Sequence, residues 1–266
     1  MKLKLNRLLL IAFAMSTTFY ACKKNIATES SVVDQQEKLG TNPLADIKIC
    51  TERFPDGTNP RGAVVKTKKW TPGTTLKVSL NGSTLAIRNK VIQFAREWEK
   101  YANIKFNFVT NDNTAAIRVS FVSGDGSWSY IGKDANSIAS GNATMNFGWF
   151  TATTADTEYS RVVIHEFGHA LGMIHEHQQP LVSIPWDKPA VYAYYAGSPN
   201  FWTQAQVDNN LFAKYSTAET NYSAYDAKSI MHYAISNDLT VGDFEVGWNN
   251  VLSDTDKTFI KSVYPF

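Results

Sequence analysis

Two cysteines in 266 residues, Cys22 and Cys50, allow one disulfide at most, so cross-links do not staple this fold. The chain must stand on a hydrophobic core, and 44% apolar residues is ample for one. No charge of one sign dominates: 26 Lys and Arg stand against 24 Asp and Glu, scattered rather than blocked. Removing the three cations of the first residues (Lys2, Lys4, Arg7) turns the formal net charge of +2 into about −1. A nucleic-acid partner needs a basic surface, and that signal is missing. Beyond the first residues no apolar run is long enough to cross a bilayer. Histidine is also scarce, at five residues. Three of the five, His165, His169 and His175, stand within one stretch of eleven, HEFGHALGMIH, with His177 just beyond it.

The start reads as an export signal: the basic MKLKLNR, the apolar LLLIAFAM, then STTFYAC. Ala21 before Cys22 resembles a bacterial lipoprotein signal, in which the cysteine is acylated and becomes the new N-terminus. Phe19 departs from it, standing where Leu is usual. Residues 1–21 are therefore expected to be a signal peptide and Cys22 the lipid attachment. The protein is expected at a bacterial cell envelope, touching membrane through that anchor only, with release following any later processing. Ordinary cleavage and free secretion is the alternative, and it would allow a Cys22–Cys50 disulfide. Residues 23–47 are polar and aperiodic and read as a tether.

From Lys68 the pattern changes. TLKVSL alternates as a strand before an Asn-Gly turn. STLAIRNKVIQFAREWEKYANI has helical spacing, with Ser83 as the expected N-cap. IKFNFV, IRVSFV and ATMNFGWF read as strands, and residues 157–172 as a helix. The remainder is loop-rich, with helical segments near 202–213 and 254–263, the second capped by Ser253. The predicted class is α+β, a twisted mixed sheet backed by helices.

On a helix, residues four apart differ by about 40° of rotation and about 6 Å of rise. His165 and His169 therefore project from one face and can reach one metal at about 2.0–2.1 Å. Glu166 sits one step round, within reach of a water rather than the metal. His175 lies six residues past His169, about 120° off that face, and joins only if the helix ends. Gly172 supplies the break, because glycine tolerates the left-handed conformation that terminates helices. Three histidines leave a position open, as a catalytic zinc site needs.

This motif resembles that of the metzincins, followed downstream by a methionine turn. YDAKSIMHY, residues 225–233, is similar to the astacin version of that turn. The resemblance implies a metzincin fold over roughly residues 70–266, with subdomains of about 70–175 and 176–266. It implies one catalytic Zn2+ on His165, His169 and His175, Met231 beneath it, and Tyr233 as an additional ligand that swings to stabilise an oxyanion. Glu176 would anchor a trimmed N-terminus, its alternative being a solvated acid; His232 receives no role. The Arg and Asp residues that usually follow are replaced by QQPLVSIPWD, and both usual disulfides are missing.

The expected function is zinc-dependent endopeptidase, with Glu166 as general base and proteins or peptides as substrates, acting as a monomer. An extended substrate is expected to pair with a sheet edge near Ala143–Phe150. Two alternatives stand beside it: a non-catalytic binding protein on the same fold, and a zinc hydrolase of non-protein amides. The unpaired Cys50 lies in residues 22–69, expected to be a lipid-anchored tether that doubles as an inhibitory pro-segment. A thiolate is a strong zinc ligand, so Cys50 is expected to fill the open position until cleavage at nearby basic residues, Arg53, Arg61 or Lys66 to Lys69, releases it. Asp46 or Asp56 could block the metal instead.

Overall fold

The computed structural model describes residues 50–53, 55, 65–198, 200–218 and 220–266. The signal segment, Cys22, Asp46, Asp56 and Arg61 lie outside them. Among the described residues no helix is long and apolar enough to cross a membrane.

Six strands form one sheet: β1 (Cys50–Arg53), β2 (Thr75–Leu80), β3 (Lys105–Val109), β4 (Ile117–Ser120), β5 (Ser127–Tyr130) and β6 (Met145–Phe147). Their order is β1-β5-β6-β4-β2-β3, and every pairing is parallel except β5 with β6. The mixed α+β architecture is as expected, but the edge is not. β6 lies inside the sheet between β5 and β4, so Ala143–Phe150 cannot offer an edge. The strand beside the site is β5, and β1 covers it, with Cys50 opposite Ser127 and Arg53 opposite Tyr130. β1 has no apolar alternation to announce it. Pairing makes it a strand, with Arg53 lying 3.8 Å over the Trp128 ring and ion-paired to Asp125 at 2.6 Å.

Two long helices pack on the sheet. α2 (Leu85–Ala95) buries Ile87, Val91 and Ala95, one residue per turn. Thr84, rather than the adjacent Ser83, caps it: the Thr84 hydroxyl accepts from the Ile87 amide, while Ser83 takes a left-handed φ of 63°. α3 (Asp156–Ala170) carries the histidine motif, with Asp156 and Glu158 in the first turn, where acids complement the helix dipole. Trp98 is fully buried against α3, its indole N–H donating to the Ile164 carbonyl at 2.8 Å. Phe106 and Phe167 meet edge-on at 5.1 Å between sheet and helix.

Buried Arg118 on β4 donates to the carbonyls of Ala115, Ile138 and Asn142, pinning the connection that delivers β6. The short helix α1 (Val65–Lys68) leads into β2. After α3, a separate core of Val191, Tyr195, Val207, Leu211, Tyr233 and Leu239 gathers α4 (Lys188–Ala196) and α5 (Gln204–Val207). α6 (Asp254–Val263) closes the chain with a reciprocal capping box between Ser253 and Asp256.

Candidate metal centre

α3 buries His165, Glu166 and His169 together. The helix then stops as its sequence requires. Gly172 adopts φ +94°, a left-handed value that costs a side-chain-bearing residue strain. The Gly172 amide donates to the His169 carbonyl at 2.8 Å, and Met173 to Gly168 at 3.0 Å, closing the turn. His175, in extended conformation, comes back to the face it would have missed on a continuing helix.

The three imidazoles converge. Nε2 of His169 lies 3.1 Å from Nε2 of His165 and 3.2 Å from Nε2 of His175. Nδ1 of His165 faces the Ile230 carbonyl at 2.8 Å and Nδ1 of His169 faces the Met173 carbonyl at 2.9 Å. Carbonyls only accept, so these Nδ1 atoms carry the protons and the Nε2 lone pairs point at one another. Burial drives all three histidines below their ordinary pKa, His169 to about 4, which keeps them neutral at physiological pH. Facing lone pairs repel unless a cation sits among them. A tetrahedral ion with bonds of about 2.0–2.1 Å needs nitrogens roughly 3.3 Å apart, so the donor set fits zinc.

Glu166 is fully buried, and Cys50 is buried against it: their side-chain ligand atoms and that of His165 lie within 4.8 Å of one another. Burial first, then the Glu166 charge, push the Cys50 thiol well above its ordinary pKa. The Tyr233 hydroxyl donates to the Cys50 carbonyl, and its ring lies 4.3 Å from that of His175.

Met231 is fully buried, with its sulfur against Gly168 of the motif. Gly168, inside the motif, explains how: a Cβ there would overlap the Met231 sulfur and press on Trp98. The turn is tied down by Asp256, whose carboxylate accepts from the Ser229 hydroxyl and the Ile230 amide at 2.7 and 2.8 Å. Ile230 in turn holds His165. Glu176 is no solvated acid: it accepts from the Asp226 amide and from Gln179, and burial raises it to about 7.

Sequence reading passed over two neighbours. His177 packs its ring 4.6 Å from Tyr233 and 5.2 Å from His175, donating to the Asn210 carbonyl at 2.9 Å. Its signal was present, as one of the few imidazoles beside the motif. Arg161, one turn before His165, pairs with Glu158 three residues earlier at 2.7 Å and stacks 4.4 Å over Trp248, a contact that no local pattern announces. His232 is buried outside the cluster, its Nδ1 donating to the Tyr233 carbonyl and Nε2 accepting from Tyr225.

A family model described as Astacin (Peptidase family M12A) matches residues 63–240, a span that holds the histidine motif and the methionine turn. The chain belongs to the astacin family. Among solved astacin-like structures, myroilysin shares 62% identity with a TM-score of 0.75, covering 77% of this chain and 99% of its own. The hatching enzyme zinc-protease HCE-1 of Oryzias latipes shares the fold, with a TM-score of 0.51 at 20% identity over 75% of this chain and 95% of its own. Blastula protease 10 of Paracentrotus lividus is 29% identical over 165 residues, 58% of this astacin but 23% of that protein. Zinc metalloproteinase dpy-31 of Teladorsagia circumcincta is 24% identical over 206 residues, 74% of this chain and 31% of the relative. This astacin thus spans less than a third of the length of those two longer relatives.

Proposed function

We propose that this astacin is an exported zinc endopeptidase, held latent by its own Cys50 segment. The observation that carries the reading is the convergence of three Nε2 atoms with the buried Glu166 beside them. His165, His169 and His175 would hold one zinc ion. When bound, the metal polarises the scissile carbonyl and brings the pKa of a water close to neutrality. Glu166 accepts the proton from the attacking water and delivers it to the leaving amine. The Tyr233 phenol, beside His175, turns to donate a hydrogen bond to the developing oxyanion. Met231 supports the ligands from below.

Latency draws support from three contacts. The Cys50 thiol sits at His165 and Glu166, its carbonyl occupies Tyr233, and β1 covers the edge at β5 where an extended substrate would add a strand. The signal peptide, the Cys22 lipid anchor and the monomeric state belong to the same proposal. A non-catalytic binding protein would need no buried Glu166, and a hydrolase of non-protein amides would need no strand-accepting edge.

The test uses a soluble form lacking residues 1–22, carrying Cys50→Ala and supplied with zinc, against a denatured protein. Cleavage that is lost on chelation and absent with Glu166→Ala supports the reading. Zinc binding without cleavage by either form overturns the catalytic part in favour of a binding protein. Latency fails if Cys50→Ala protein is no more active than the unprocessed parent.

A further inference from the structure

We propose that Lys68–Trp70 is a permanent strap of the catalytic body and that Trp70 is a positioning residue for the metal centre. The activating cut then falls N-terminal to Lys68. This rests on the zinc-peptidase reading above. The argument starts at the end of α3, where the last carbonyls of a helix lack intrahelical donors. Here two outside side chains supply them. The Trp70 indole N–H donates to the Ala170 carbonyl at 2.8 Å, and the Tyr264 hydroxyl donates to the Leu171 carbonyl at 2.6 Å. The Trp70 amide donates to the same Tyr264 oxygen at 3.1 Å, so the strap and the C-terminal tyrosine form one hydrogen-bonded unit. Both side chains are buried. The capped residues directly precede Gly172 and Met173, and the Met173 carbonyl sets the tautomer of His169.

The strap is held at two further points. Lys68 forms a buried ion pair with Asp134. Its backbone runs where two glycines leave room. A Cβ on Gly132 would overlap the Lys68 carbonyl oxygen, and one on Gly172 would stand 3.7 Å from the Lys69 Cα. The strap therefore lies directly across the turn that brings His175 to the other ligands. Cutting after Lys68 severs the Asp134 tether and puts a new ammonium next to buried Trp70. Cutting after Lys69 places that charge on the Trp70 nitrogen itself. A charge on the buried Trp70 nitrogen is costly, and either cut removes part of the strap that holds the indole at Ala170. Of the basic residues open to processing, Lys68 and Lys69 are thereby excluded.

Two measurements on the purified full chain test this. Limited trypsin digestion of the zinc-loaded protein is expected to yield an active fragment whose mass places its N-terminus at or before Lys68. An active fragment beginning at Lys69 or Trp70 overturns the strap. Trp70→Phe keeps an aromatic ring but removes the indole donor. It is expected to weaken zinc binding about tenfold in chelator competition, as loss of an outer partner does, and to shift the visible spectrum of the cobalt-substituted protein. A purely structural role would lower the unfolding midpoint and leave both readouts at parent values, which overturns the positioning claim. A parent that binds no zinc overturns the peptidase reading and the positioning claim together, whereas the fragment masses still judge the strap alone.

Discussion

Replacing Asp256 with alanine should damage the metal centre from the far side of the methionine turn. The carboxylate accepts three hydrogen bonds, from the Ser229 hydroxyl at 2.7 Å, the Ile230 amide at 2.8 Å and the Ser253 amide at 2.9 Å. The three donors are not equal. Ser229 can rotate its hydroxyl elsewhere, and half-exposed Ser253 can turn to water, but the buried Ile230 amide has no substitute. An orphaned buried donor costs about 1–3 kcal/mol, and losing the other two hydrogen bonds adds about 0.5–1.5 kcal/mol each. Part of that returns, because burial already strains this carboxylate and raises its pKa. The expected net loss is about 2–4 kcal/mol, a large share of a typical 5–15 kcal/mol. Asp256→Asn keeps one acceptor oxygen for Ile230, and its amide can donate to a rotated Ser229, so it should cost only about 1 kcal/mol. Urea unfolding of the zinc-saturated proteins, followed by tryptophan fluorescence, measures both. Because the Ile230 carbonyl orients His165, the alanine variant should also bind zinc about tenfold more weakly. An alanine variant within 1 kcal/mol of the parent, or an asparagine variant as damaged as alanine, refutes the reasoning.

Gly172→Ala should cost about 1–2 kcal/mol through its left-handed backbone, with kcat falling more than KM rises as His175 moves; unchanged kinetics would show the turn tolerates a side chain. Glu176 is raised to about 7 in the fold, so its protonated form stabilises at low pH, and that contribution is lost as pH rises from about 4.5 through 7. Glu176→Gln should therefore gain on the parent by about 2–3 kcal/mol between pH 5 and 8, read as a widening gap in unfolding midpoints. His177 is depressed to about 3, so the folded state resists its protonation and stability falls as pH drops from about 6.5 toward 3. His177→Gln should flatten that acid limb, and an unaltered limb would assign it to other groups.

The parts of this fold that were legible in the sequence are those written locally. α3 carries its own periodicity and α6 its own periodicity and cap, and Ser253 was readable as a cap because its partner lies three residues on. The histidine geometry followed from helix rotation plus one glycine. What escaped depends on partners distant in the chain. β1 and β5 are four residues each, CTER and SWSY, with nothing amphipathic about them, and each is a strand through its neighbour. The position of β6 inside the sheet is a property of strand order, on which alternation is silent. Choosing Thr84 over Ser83 turned on a backbone angle, and the capping of α3 by Trp70 and Tyr264 joins residues almost two hundred positions apart.

The parallel seating of β1 on β5 has a consequence for how this astacin wakes. A strand of four residues, clasped by Arg53 on Trp128 and Asp125, holds its place largely because the chain keeps it there. A short tether supplies a local concentration in the millimolar range, and a cut between Arg53 and Lys68 abolishes that concentration without breaking a single contact. Under the proposed latency, opening is then a matter of dilution: sparse enzyme would shed the segment for good, while crowded enzyme would be inhibited by the fragments it has just released.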